Sequence, residues 1–161
     1  DVCSSDLTTE RVSGTAVFMT SNPAVIPTAF LHNLKHNHVV HERVVLLKVN
    51  VEDIPRVAHA GRIEVEKLGK GFHQVIVHYG FMERPDVPRA LELCRQFGLS
   101  FDLMQTTFFL GRETLIPARR SELRRWQAAL FIGMQATALS ATRFFRIPAN
   151  RVVEMGTQVE I

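Results

Sequence analysis

Four histidines crowd one short stretch, His32, His36, His38 and His41, and they are the first residues here whose types could do chemistry. His32 and His36 stand four apart, which puts two imidazoles on one face of a helix, the spacing of a zinc pair. No carboxylate or cysteine at matching spacing completes such a site, so the four read as a polar helix end rather than as metal ligands. Gly111, Arg112 and Glu113 come next: an arginine beside a glycine at a strand turn could grip phosphate or carboxylate with both of its terminal nitrogens. The same residues read more readily as a structural Arg112–Glu113 ion pair in the hairpin. Arg119, Arg120, Arg124 and Arg125 form a basic cluster that reads as a solvated helix start or a contact for acidic lipid headgroups. Gly69-Lys70-Gly71 reads as a turn, not as a phosphate cradle. The chain carries no nucleophile elbow, no Walker loop and no cysteine and histidine at telling spacing. We therefore expect no enzyme, no resident cofactor and no metal.

Composition narrows the classes further. The chain has 161 residues, 46% hydrophobic and 22% charged, enough for one domain with a real core. Its net charge of +3 is too diffuse to argue for nucleic acid, and its aromatics fall on apolar stripes rather than among lysines. The two cysteines, Cys3 and Cys94, have no paired spacing and suggest a reducing compartment. No run reaches the roughly 18 to 20 apolar residues that a membrane helix needs. Residues 128–141 come nearest, but they are shorter and interrupted by Gln135, Thr137 and Ser140.

These residues need elements to hold them. Ala16 to Met19 and Val44 to Val51 are short β-branched-rich runs, as expected of parallel strands covered on both faces. Between them Asn22, Pro23 or Pro27 can open a helix whose Phe30, Leu31 and Leu34 share a side, so the unit predicts a right-handed crossover. A loop over 52–61 follows. Arg62 to Leu68 and Phe72 to Phe81 alternate around Gly69-Lys70-Gly71 and predict an antiparallel hairpin. Asp86 with Pro88 predicts a capped helix, ended at Gly98, with Cys94 a buried structural thiol on its apolar stripe. Residues 105–110 and 113–116 read as two strands turning at Gly111 and Arg112. From Ser121 an amphipathic helix, with Leu123, Trp126, Leu130, Gly133 or Met134, Thr137 and Ala141 at helical spacing, should finish before Pro148. The tail 152–161 returns to the sheet or packs along it. The fold class is α/β: an open, mostly parallel sheet with one antiparallel hairpin, flanked by helices.

Several long strings carry a resemblance as well: GTAVFMT, SNPAVIPTAFLHNLKHNHVV and HERVVLLKVNV within 14–51, FMERPDVPRAL at 81–91, FFLGRETLIP at 108–117 and SATRFFRIPANRVVEMGTQVEI at 140–161. In this order they resemble the cytoplasmic region that follows the last membrane helix of the Kup (KUP/HAK/KT) potassium uptake transporters. The likeness covers nearly everything after Arg11. It breaks at Ala136-Thr137, where the family has an Arg-Asn pair, and at residues 1–7, DVCSSDL, which read as a non-native, disordered leader.

The resemblance implies that 8–161 is the cytosolic C-terminal domain of a proton-coupled potassium symporter of a bacterial inner membrane. It implies a universal-stress-protein-like sheet, pairing in a homodimer, and the transporter's own transmembrane part as a partner. Related members bind cyclic di-AMP in this region, so a cyclic dinucleotide is a second candidate partner. No ion-pathway residue falls in this chain. Asn33, Lys35, His36, Arg43, Arg112 and Glu113 are the candidates for an interface or ligand pocket.

Overall fold

The computed structural model describes residues 9–116, 126–127, 129–130, 133–134 and 140–160. Strand β1 (Glu10–Met19), helix α1 (Thr28–Asn37) and strand β2 (Val39–Glu52) form the expected crossover, with β1 and β2 parallel. Pro27 supplies the extended residue before α1, and His38 ends it in the left-handed region at φ 55°. Strands β3 (Ile63–Gly69) and β4 (Phe72–Gly80) make the antiparallel hairpin. Its loop needs positive φ at three successive residues, and Gly69, Lys70 and Gly71 take 92°, 52° and 84°.

Helix α2 (Val87–Leu93) opens under the Asp86 side chain, which accepts from the Arg89 N–H. A 3-10 turn over Cys94–Phe97 continues it to Gly98 at φ 81°. Strand β5 (Thr106–Ile116) follows, then the short helix α3 (Ala141–Phe144), and strand β6 (Val152–Glu160) closes the sheet beside β5. The strand order is β3-β4-β2-β1-β5-β6, parallel throughout except for the β3/β4 pair. This is the mixed α/β sheet that the pattern of apolar runs predicts.

Two expectations are corrected. Residues 105–116 hold no turn at Gly111 and Arg112: β5 runs through both, which pair with Met155 and Gly156 of β6. A glycine interrupts a strand only if its ladder is interrupted, and the parallel neighbour keeps this ladder whole. The helix expected from Ser121 lies mostly outside the described residues. Within it, 126–127, 129–130 and 133–134 are helical, but Ala141 starts a separate helix. Ser140 is extended, at φ −63° and ψ 141°, and its side chain accepts from the Arg143 N–H, the competition a serine offers to a continuing helix. Residues 1–7, the presumed leader, and the arginine cluster at 119–125 also lie outside the described residues.

The core sits on both faces of the sheet, which is why the central strands lack alternation. On one face Val17, Val45, Leu47, Val75, Val77 and Phe108 pack with Leu91 and Cys94 from the α2 region. On the other, Phe18 stacks on Phe109 with ring centroids 4.5 Å apart and meets Phe30 of α1 edge-on at 5.3 Å. Cys94 is fully buried, its Sγ donating to the Ala90 carbonyl at 3.4 Å, and burial pushes the thiol up to about 11. Phe108, also fully buried, belongs to the first of these layers, so Phe108→Ala should lower stability by about 3–5 kcal/mol, read as an earlier urea midpoint at unchanged slope.

Candidate functional site

The most elaborate polar construction among the described residues lies just past the carboxyl ends of β2 and β4. Strand β2 stops at Glu52, and three residues on, Pro55 cannot continue it. The loop 53–62 then folds back across the end of β4. Two backbone hydrogen bonds hold it there: Phe81 N–H donates to Ile54 C=O at 2.9 Å, and Met82 N–H to Pro55 C=O at 3.1 Å. Only glycine fits at position 80, because a Cβ there would lie 2.3 Å from the Pro55 carbonyl oxygen.

Glu83 completes the fastening. Its Oε2 accepts from Gly80 N–H at 2.7 Å and Val57 N–H at 3.0 Å, and its Oε1 takes Arg62 Nη2 at 2.6 Å. Burial alone would raise this carboxyl, but the two backbone donors and the Arg62 guanidinium outweigh it and hold it down at about 2. The same Arg62 nitrogen donates to Val57 C=O at 2.7 Å, and the guanidinium lies over the Tyr79 ring, 5.2 Å from its centroid. The Tyr79 hydroxyl donates to Asp86 C=O at 2.8 Å and accepts from Asp86 N–H at 3.1 Å, so the β4 end and the α2 start are joined through one phenol. Burial raises the Tyr79 hydroxyl above its ordinary value and keeps it neutral.

Around these groups opens a cavity of about 350 Å³, to which Arg56, Arg84, Arg89 and Arg146 also contribute. Its two carboxylates are already engaged. Glu83 holds Arg62, while Asp86 caps α2 and stands 3.5 Å from Arg146. Arg56, Arg84 and Arg89 are exposed and have no acidic partner among the described residues. The sequence alone singled out none of these arginines, nor Glu83. Its one usable signal was a carboxylate three residues past a strand-ending glycine, in FMERPDVPRAL.

The residues that the sequence did single out are spread over the fold. Asn33 is buried on α1, its Nδ2 donating to Val39 C=O at 3.2 Å and its Oδ1 accepting from Asn37 at 2.7 Å, which ties α1 to β2. Lys35 and His36 are exposed on the same helix, where the His32 and His36 rings sit 5.8 Å apart. Arg43, on β2, donates to the Ser100 carbonyl and lies 5.8 Å from the Phe101 ring centroid. It lines a separate opening of about 300 Å³, with Glu42, Asp102 and Gln105, near the start of β5. Arg112 is exposed on β5, 3.6 Å from Glu154 of β6, so its acidic contact comes from the neighbouring strand. The side chain of Glu113 lies outside the described residues. Arg112 is not among the residues lining the opening at Arg43. Also among them, no group of three His, Cys, Asp or Glu could hold a metal ion, and no helix is long and apolar enough to cross a membrane.

Comparison with known proteins adds the family context. Residues 13–161 match the family described as "K+ potassium transporter C-terminal domain". The chain is 56% identical over 151 residues to "Probable potassium transport system protein Kup 1" of Paramagnetospirillum magneticum, covering 94% of this chain and 24% of that protein. It is 57% identical over 151 residues to "Probable potassium transport system protein Kup" of Myxococcus xanthus, again 94% of this chain and 23% of the relative. A Pseudomonas syringae pv. tomato protein of the same printed name is 54% identical, with 94% and 24% covered. The chain thus spans about a quarter of the length of the curated relatives it matches. No solved structure matches it.

The fastening by Glu83 has a defined pH signature. A carboxyl held at about 2 when folded, against an ordinary 4.5, stabilises the fold fully above 4.5. That contribution is lost as pH falls from 4.5 through about 2. Glu83→Gln should therefore be less stable than the parent at neutral pH and lose less on acidification, measured by urea midpoints across that range. Parallel acid profiles for the two chains would contradict the role given to Glu83.

Proposed function

This chain belongs to the family of K+ potassium transporter C-terminal domains, and on that premise we propose that residues 8–161 are the cytosolic domain of a bacterial proton-coupled potassium uptake permease, serving to dimerise the transporter and restrain its membrane part. The relatives are potassium transport proteins about four times as long, so in this reading the ion pathway lies in the portion of such a protein that the chain does not span. The domain is then an interaction and regulatory module on the cytoplasmic side of the inner membrane, not a catalyst. The observation that carries this is an exposed apolar ridge. Trp126, Leu130 and Met134, spaced four apart on helical turns, are 62%, 56% and 61% exposed. Large side chains left in water at helical spacing fit a surface that another protein surface covers. Sedimentation equilibrium of the chain should give a dimer, and Leu130→Asp should shift it toward monomer without loss of the folded far-UV spectrum. A parent chain that stays monomeric at every concentration would count against the homodimer.

A second reading, a ligand-sensing domain that sets transporter activity, is favoured by the basic cleft. It opens past the carboxyl ends of parallel strands, where open α/β sheets bind their ligands, although at the β2/β4 ends rather than at the β1/β5 position where the strand order reverses. Cyclic di-AMP is the nucleotide that the family likeness suggests. Isothermal titration with it should give saturable heat at one ligand per dimer, and an absence of heat would remove this nucleotide from consideration.

A further inference from the structure

We propose that the cleft past β2 and β4 is a binding site for a compact phosphate group, held by Arg56, Arg84 and Arg89. The inference rests on reading the cleft as a ligand site; it does not require that transport respond to what binds.

The charge balance carries the argument. Among the described residues, five arginines and two carboxylates border a cavity of about 350 Å³. Both carboxylates are occupied by the protein itself. Glu83 is saturated by Arg62 and two backbone N–H groups, and Asp86 is shared between the α2 backbone and Arg146. Neither is therefore available to neutralise the other three guanidiniums. Like charges gathered at one rim repel, and an anion with several oxygens relieves that repulsion while accepting paired N–H donors from each guanidinium.

The scaffold is built in advance of any ligand. The loop carrying Arg56 is clamped to β4 by the Ile54 and Pro55 carbonyls, by the close approach at Gly80 and by Glu83. Arg84 directly follows that carboxylate, and Arg89 stands in the first turn of α2, whose start is fixed to β4 by Tyr79. A rim whose backbone is already fixed loses little entropy on binding. The size of the cavity falls near the lower end for small-molecule sites, so one chain holds a phosphate with a small attached body rather than a whole dinucleotide. A free phosphate ester and the phosphate of an anionic lipid headgroup offer the same chemistry to these arginines.

The test uses the 161-residue chain, with pyrophosphate and glycerol phosphate as soluble probes in titration calorimetry. Vesicles of phosphatidylglycerol, against phosphatidylcholine, serve as the lipid probe in a sedimentation assay. Saturable binding of a soluble probe identifies a free phosphate compound, and binding to phosphatidylglycerol vesicles alone identifies a headgroup. In either case Arg56→Ala and Arg89→Ala, both at exposed positions, should each weaken binding about tenfold, the loss of one charge-assisted hydrogen bond. Arg112→Ala, which removes an exposed arginine elsewhere on the sheet, should leave it unchanged. No saturable binding to any probe would overturn the proposal, and so would an equal loss in Arg112→Ala, which would mark mere attraction to net charge. If phosphate binds and potassium uptake by the full-length transporter ignores it, the sensing reading fails while the site stands.

Discussion

A single carboxylate governs how one end of this sheet is finished. Glu83 takes the N–H of the glycine that ends β4, and from the preceding loop the N–H of Val57 and the guanidinium of Arg62, so three donors from two stretches of chain converge on two oxygens. A buried carboxylate without such donors would be costly or would take up a proton. With them it stays charged and fixes the loop 53–62 against the strand. Arg62 then cannot turn outward, Tyr79 lies beneath it, and the start of α2 follows from Tyr79. The cavity and the arginines at its rim are what remains once this arrangement is made.

The opposite face follows a different logic. There the fold depends on aromatic packing, with Phe18 central between Phe109 and Phe30 and a short helix covering the middle of the sheet. At the hairpin edge of the sheet the pattern turns polar. His78 of β4 lies 2.6 Å from Glu52 of β2 and 3.2 Å from Glu64 of β3, a run of polar contacts across three strands. A sheet buried at its centre and polar at one margin suits a domain that works beside other surfaces.

How much of this was legible follows from range. The β1-α1-β2 unit, the β3/β4 hairpin and the capped α2 could be read because their signals are local: proline and aspartate at helix starts, glycines at a turn, apolar residues at fixed spacing. The continuity of β5 through Gly111 could not be read, since it depends on a parallel partner some forty residues later in the chain. The break before Ala141 had a local cue in Ser140 that apolar periodicity masked. The cleft was the least legible. Its arginines come from three loops and a helix start, while the conspicuous His32, His36 and Arg112 lie apart from it. Asn33 looked like a polar surface residue because its true partners, the Val39 carbonyl and Asn37, become neighbours only when α1 turns into β2.

The chain contains one tyrosine and one tryptophan. The tyrosine forms the floor of the cleft, its ring against a guanidinium and its hydroxyl closed off by Asp86, whereas the tryptophan is exposed on a separate helical segment. One chromophore thus stands at the cleft and the other on the exposed ridge. Tyrosine absorbance reports on the surroundings of the cleft and tryptophan emission on those of the ridge, so the two proposed surfaces can be followed separately in the unlabelled protein.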